Sequence, residues 1–344
     1  MKNENKQLPQ RMFADTLQNK RYLFSLGMIL LMVGVSEWLQ EKEVLFPEMA
    51  ALTIGMWIVD KRVWRVRRWH LLALMTVGAC MGVLIVRYSA LPLVLNIVLA
   101  FLCAAVGLLF ARASLFPLIS ACVLPVLLGK ESWVYPLSVF VMCLVIIAVQ
   151  WLMEKGGLRG KVVYEPVPRN WKKEILRWCC LLLSILSVSS LAICSSCPYL
   201  IIPPLLVSFV EFTNSTAGFR NRPLLTVLLL VFGALIGVTF QLLGHSYLGL
   251  PETIVALAIF IVLFCLFEWL GKFFAPVGAL ALIPMLLPAE TLIWLPLQVT
   301  VGAVLFIAIG LVFFQQCYKW SRAQLVYCLI PHYLISRINR NKKR

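Results

Sequence analysis

A chain of 344 residues that is 61% hydrophobic and only 13% charged, with a mean hydropathy of +0.91, carries too much apolar side chain to hide in one soluble core. Its net charge of +16 would point to nucleic acid in a soluble protein, but here the basic residues fall in short connections between apolar runs, where they report orientation; no nucleic-acid partner is expected. The composition therefore predicts an all-α polytopic protein whose partner is the lipid bilayer.

The polar stretch 1–21 reads as a cytoplasmic tail, and the apolar run after it, lacking a small-residue cleavage site, as a retained first helix. Cut at charges and at Pro or Gly, residues 22–153 give six segments: 22–40, 45–59, 70–87, 90–111, 114–128 and 133–153. A polar linker, 154–173, holds Gly156-Gly157 and Pro166-Val167-Pro168. Six more segments fill 174–314: 174–196, 200–213, 223–243, 250–270, 274–288 and 291–314. Residues 315–344 form a basic cytoplasmic tail ending Arg337-Ile338-Asn339-Arg340-Asn341-Lys342-Lys343-Arg344, a topology anchor or a contact for anionic lipid.

The second half repeats the first. Pro47, Gly78-Ala79-Cys80-Met81-Gly82, Pro117 and Pro125 return as Pro203, Gly233-Ala234-Leu235-Ile236-Gly237, Pro276 and Pro284, at offsets of 156, 155, 159 and 159 residues. With the amino terminus inside, all but three of the 31 Lys and Arg (Lys42, Arg87, Lys130) lie on the cytoplasmic side. The layout predicts about twelve transmembrane segments in two tandem six-segment repeats, both termini cytoplasmic, in the cell membrane.

Segments two and five of each repeat are short and open with proline. About 15 helical residues reach roughly 22 Å against a hydrocarbon core of roughly 30 Å. Each repeat thus reads long, short, long twice over, the arithmetic of an inverted 3+3 repeat with short Pro-initiated helices. Proline fits the first helical turn, and amides beside it are expected to lack partners and to favour an anion. The candidate solute path is therefore Pro47, Pro117, Pro203, Pro204 and Pro276 at helix starts, with Thr53, Ser208 and Gly278 supplying hydroxyl contact or close backbone approach, and Glu48, whose charge would repel an anion unless it titrates. The bland alternative is that proline only begins short packed helices.

Gly78, Gly82, Gly233 and Gly237 are spaced for close helix packing. Glu268 and Lys272, four apart, are expected to pair; Glu211 is read either as a path residue or as an ion-pair partner of Arg220 and Arg222. Asn96, Gln241 and Gln298 are expected to hydrogen-bond between helices. His70, His245 and His332 fall at segment boundaries or in the tail, and no catalytic constellation can be assembled. Neither an enzyme, a metal nor a cofactor is expected, and Cys194-Ser195-Ser196-Cys197 reads as small packing residues rather than a metal or redox pair.

Pro203-Pro204-Leu205-Leu206-Val207-Ser208, then Arg222-Pro223, Ala234 and Gly237, and later Phe274-Ala275-Pro276-Val277-Gly278-Ala279 resemble the HPP family of integral membrane proteins over roughly residues 200–290. The family's His-Pro-Pro is Phe274-Ala275-Pro276 here, and Leu206-Val207 replaces its Gly-Ala. The first repeat, from Phe46-Pro47-Glu48 through Gly82, resembles fusaric-acid-resistance and aromatic-acid-exporter domains. Both resemblances imply transport, of a small anionic or polar solute such as nitrite or an aromatic carboxylate. A non-transporting scaffold or accessory subunit is the competing class, and a homo-oligomer is left open.

Overall fold

The computed structural model describes residues 15–60, 63–161, 164, 166–167, 171–214 and 222–317. The tails, with His332 and the terminal basic cluster, lie outside the described residues, as does Arg220. Every regular element described is helical: α1 (Thr16–Leu39), α2 (Glu48–Thr53, continued by a π-helical turn Ile54–Ile58), α3 (Arg68–Tyr88), α4 (Leu93–Ala111), α5 (Pro117–Leu128) and α6 (Val134–Lys155). There follow α7 (Trp171–Cys194), α8 (Pro203–Asn214), α9 (Pro223–Phe240, continued by a π-helical turn Gln241–Tyr247), α10 (Glu252–Leu270), α11 (Ala275–Leu282, tightening to a 3-10 turn Ile283–Leu286), the single turn α12 (Ala289–Leu292) and α13 (Leu295–Cys317).

Eight of these, α1, α3, α4, α6, α7, α9, α10 and α13, are long and apolar enough to cross a bilayer. Their outward faces are apolar: Leu23, Phe110, Leu183 and Val304 are all exposed. A helix apolar on its outer face as well as its inner one suits lipid, because every backbone polar group is paired within the helix. The protein is thus a helical membrane protein.

The short helices occupy the middle. Every residue of Pro117–Val126 and of Ala275–Leu282 is buried, as is every residue of Glu48–Thr53 and Pro203–Val210. They close a ring in which α2 packs on α5, α5 on α8, α8 on α11 and α11 on α2. Outside the ring α3 and α4 flank α5, while α9 lies on α11 and α13 on α8. The pairs α1 with α10 and α4 with α7 join the amino-terminal and carboxy-terminal parts.

Glycine brings the ring and its wall together. A β-carbon on Gly82 would lie 2.3 Å from the Cys122 carbonyl oxygen, and one on Gly237 would lie 2.4 Å from that of Ala281. Gly78 and Gly233 likewise press on Leu118 and Val277. Proline shapes the same helices. Pro125 inside α5 has no N–H for the Ala121 carbonyl, and the Tyr135 hydroxyl donates there instead, at 3.3 Å. In α11 the residue before Pro284 solves the same problem locally: Ile283 N–H donates to Leu280, giving the 3-10 turn.

Two polar ends frame the bundle. At the basic end Arg21 pairs with Asp60 at 2.6 Å and donates to the Leu158 carbonyl, and Arg68 pairs with Glu154. At the opposite end Lys130 approaches Glu43, and Lys42 reaches both Glu252 at 3.4 Å and the Met285 carbonyl. There Glu37 of α1 accepts from the amides of Glu252 and Thr253 and from the Thr253 hydroxyl, capping α10 from the neighbouring helix.

Some expected pairings differ. Glu268 does not pair with Lys272 among the described residues; it accepts from Tyr22 at 2.6 Å and Gln18 at 3.2 Å, both on α1. The reason is Gly271, whose left-handed conformation (φ 57°) ends α10 and turns Lys272 off the helix face. Asn96 bonds within the turn between α3 and α4, to Ser89 and the Leu91 carbonyl, rather than between helices. Gln298 does join separate elements, accepting from the Tyr199 amide at 3.0 Å.

Candidate functional site

The geometry of α5 fixes the depth of the site. Gly78, midway along α3, faces Leu118 in the first turn of α5, and Gly82, one turn further on, faces Cys122 and Pro125. Thus α5 begins level with the middle of α3 and runs alongside its second half, ending near Lys130 at the end opposite the basic one. Ser120, in that first turn, donates its hydroxyl to Glu48 Oε1. Glu48 opens α2, so the two short helices start at the same depth. They leave in opposite directions: the far end of α2 is held at the basic end, where Arg159 donates to the carbonyls of Trp57 and Val59, each at 2.8 Å.

Local sequence explains these starts. Pro47 and Pro117 each follow a phenylalanine, and both phenylalanines are buried. Phe46 N–H donates to the Met32 sulfur on α1, and its ring packs edge-on against Tyr135 at 6.3 Å between centroids. The Tyr135 bond to Ala121 then ties α6 to α5 one residue past Ser120.

Glu48 and Ser120 are each 1% exposed. One carboxylate oxygen has the serine; Oε2 has no hydrogen-bond partner among the described residues. A carboxylate between the positive ends of two helices is stabilised there, but an oxygen left without a donor in a water-poor interior is costly. The pair can accept a hydrogen bond or exchange a proton.

The free amides expected at the helix starts are largely taken. Met49 and Ala50 donate to the carbonyls of Phe46 and Pro47, Leu118 and Ile119 to Leu115 and Phe116, Leu205 to Ile202 and Val277 to Phe274. Each proline sits in a tight turn whose preceding carbonyls fold back over the start, so few donors are left for an anion.

The other candidates scatter around the ring. Thr53 accepts from Ser25 of α1 at 2.8 Å and donates to the Ala50 carbonyl, and Ser208 donates to the Pro204 carbonyl within α8. Gly278 lets α11 approach α2, since a β-carbon there would lie 2.4 Å from Ile54 Cδ1. Pro117, Pro203 and Pro276 stand in the first turns of α5, α8 and α11. Of these residues only Glu48 makes the contact with Ser120, with Pro47 beside it in sequence and Pro117 three residues before Ser120.

Ser120 was missed in the sequence. Its signal is a polar residue within the first turn of a Pro-initiated apolar helix, the same signal that marks Glu48. At the repeat offsets the partner positions are Pro204 and Ala279, so the pair exists in one part only. Glu211 in α8 also carries a buried oxygen, Oε2, without a partner among the described residues. Among those residues no cluster of three His, Cys, Asp or Glu side chains could hold a metal.

In comparisons with protein-family models, curated proteins and solved structures, none matches this chain.

Proposed function

We propose that the protein carries a small anion or organic acid across the cell membrane together with a proton, and that Glu48 is the proton-carrying group. One observation carries the reading: a buried carboxylate with an unpartnered oxygen stands where two half-length helices begin, at mid-depth of the bundle. Intramembrane carboxylates of this kind mark proton relays and solute paths. Short helices meeting from opposite sides at the interface of repeats are the usual setting of a carrier's site. Protonation removes the like charge that an anion would otherwise meet, so the two pass together or not at all.

The reading includes twelve passes in two six-segment halves, with both termini in the cytoplasm. Supporting this, Arg21 stands beside Asp60 and Leu158 at one end, while Glu43 stands beside Lys130 at the other. Glu43 and Asp60 thus bracket the segment holding α2, and Lys130 stands at the close of the segment holding α5. The equivalent glycine contacts, Gly82 on Cys122 and Gly237 on Ala281, support two halves of one design. The proposal rests on Glu48 and not on the resemblance to HPP proteins.

A second reading, a non-transporting scaffold or accessory subunit, is favoured by the packing of the ring. Met49, Ile119, Leu206, Phe209, Val277 and Leu280 are all at or near zero exposure. The test is purified protein in liposomes, assayed for nitrite, nitrate, formate, chloride and aromatic carboxylates under an imposed pH gradient. The carrier reading expects one of these to move faster than in empty vesicles, driven by the gradient in the wild type and indifferent to it in Glu48→Gln. If no solute moves, the scaffold reading takes its place.

A further inference from the structure

The end of the bundle opposite the basic one carries a histidine that the proposed carrier does not use. His245 lies in the π-helical turn Gln241–Tyr247 that finishes α9. That turn is held firmly. Gly249 and Leu250 donate their amides to the His245 and Gly244 carbonyls, and a β-carbon on Gly244 would lie 2.9 Å from Val255 of α10. The His245 ring is partly exposed, and its Nδ1 stands 3.0 Å from the Leu250 carbonyl oxygen. A carbonyl oxygen can only accept, so Nδ1 carries a proton in both charge states of the ring. Nε2 is therefore the nitrogen that gains and loses a proton, and it stands 3.7 Å from Glu252 Oε1.

That oxygen is shared. Lys42 Nζ is 3.4 Å from the same Oε1 and also donates to the carbonyl of Met285, in the 3-10 turn that closes α11. Lys42 opens a 3-10 turn of its own, Lys42–Val44, in the loop from α1 to α2, six residues before Glu48. The buried Glu252 carboxylate thus ties that loop to α10. Its backbone is pinned, since Glu37 accepts from the Glu252 and Thr253 amides, which leaves the side chain to turn. Of the other titratable groups around His245, Glu37 lies within electrostatic reach, and Tyr247 of the same turn is exposed. Packed on the turn are α12, whose one titratable residue, Glu290, is exposed, and the body of α9, which has none. Along α10 the next are Cys265 and Glu268, towards its other end. Within the loop Glu41 accepts from the Glu43 amide, and Glu43 stands 3.8 Å from Lys130.

We propose that His245 is a pH-sensing switch that releases the loop between α1 and α2 when the solution at this end turns acid. With His245 neutral, Nε2 turns a lone pair toward Glu252, no hydrogen bond forms between them, and the carboxylate holds Lys42. With His245 protonated, Nε2–H donates to Oε1, and the contact shortens from 3.7 Å to about 2.8 Å. Two cations then address one oxygen and repel each other across it, so Lys42 is displaced toward solvent. The step moves one proton from water to Nε2 and breaks no covalent bond. A π-helical turn is a common place for such a device. The switch acts on the approach to Glu48, but it holds whether or not Glu48 carries a proton.

The experiment is hydrogen–deuterium exchange on the full-length protein in nanodiscs from about pH 5 to about pH 8, corrected for the intrinsic pH dependence of exchange. It is read at the amides of Val44 and Leu45, which donate to the Glu41 and Lys42 carbonyls. In the wild type the corrected rate should rise about two- to fivefold on acidification, the size of an exposed ion pair. Its midpoint should coincide with the titration of the His245 ring followed by nitrogen NMR of histidine-labelled protein. His245→Gln, which keeps a donor for Leu250, should stay slow throughout, and His245→Lys, which keeps the charge, should stay fast. Glu252→Gln, which loses the carboxylate, should be fast at every pH, and His70→Gln should keep the wild-type profile. No solute flux is measured, so the result does not depend on the carrier reading. The proposal is overturned if the wild type exchanges at one corrected rate across the range. It is overturned equally if His245→Gln, with an unchanged melting temperature, keeps the wild-type pH dependence, or if His245→Lys is as slow as His245→Gln.

Discussion

The contact of α3 with α5 allows a mutation to be worked through in ångströms. In Gly82→Ala the new β-carbon would lie 2.3 Å from the Cys122 carbonyl oxygen, 3.1 Å from its carbon and 2.6 Å from Pro125 Cγ. An ordinary carbon-to-carbonyl contact is ~3.3–3.6 Å, so α3 and α5 must part by about 1 Å. Neither obstacle can swing away, since one is backbone and the other a ring fixed to it. Overpacking of this kind costs roughly 1–3 kcal/mol, partly offset by the ~1 kcal/mol that alanine gains over glycine inside a helix. Gly27 in α1 provides the internal control, because a β-carbon there meets nothing within 4 Å. Thermal unfolding in one detergent should place Gly82→Ala below the wild type and Gly27→Ala at or above it. Equal melting temperatures for the two variants would refute the packing argument.

Three other outcomes follow from bonds already described. Ser120→Ala removes the hydroxyl donor to Glu48 Oε1 and should cost about 1–3 kcal/mol in thermal unfolding, whereas Ser120→Thr, which keeps a hydroxyl, should recover part of it. Glu37→Ala strips three hydrogen bonds from the start of α10 and should lower stability by about 1–2 kcal/mol, with faster amide exchange at Glu252 and Thr253 than elsewhere in that helix. Arg159→Met leaves the Trp57 and Val59 carbonyls without their guanidinium donor. It should loosen the end of α2 by ~2 kcal/mol or more, read as increased labelling of a cysteine placed at Ile58.

The long helices were legible because lipid demands apolar residues around most of a helix for some twenty residues, a signal that charges and glycines such as Gly129 and Gly271 then cut cleanly. The shortness of α2, α5, α8 and α11 was legible too, from proline at the first turn and the distance to the next polar residue. What sequence did not reveal depends on partners far along the chain. Glu48 meets Ser120 72 residues away, and Glu268 meets Tyr22 at a separation of 246, in place of the nearer Lys272. The helix starts were misread for a local reason. Whether an amide beside proline is free depends on how the preceding two residues turn, and here they fold back to accept it.

The seam between α1 and α10 bears on how the protein is made. Glu37 waits for Glu252, 215 residues later, and at ~5–20 residues per second of synthesis that interval is about 10–40 s. Tyr22 waits longer still for Glu268. Through that time α1 resides in the bilayer without these two later partners, and α1 to α6 lack the wall that the later helices supply. Biogenesis therefore ends with a docking step and not with the last insertion. The two parts, expressed as separate chains, carry in this seam and in the ring of short helices the contacts needed to find each other.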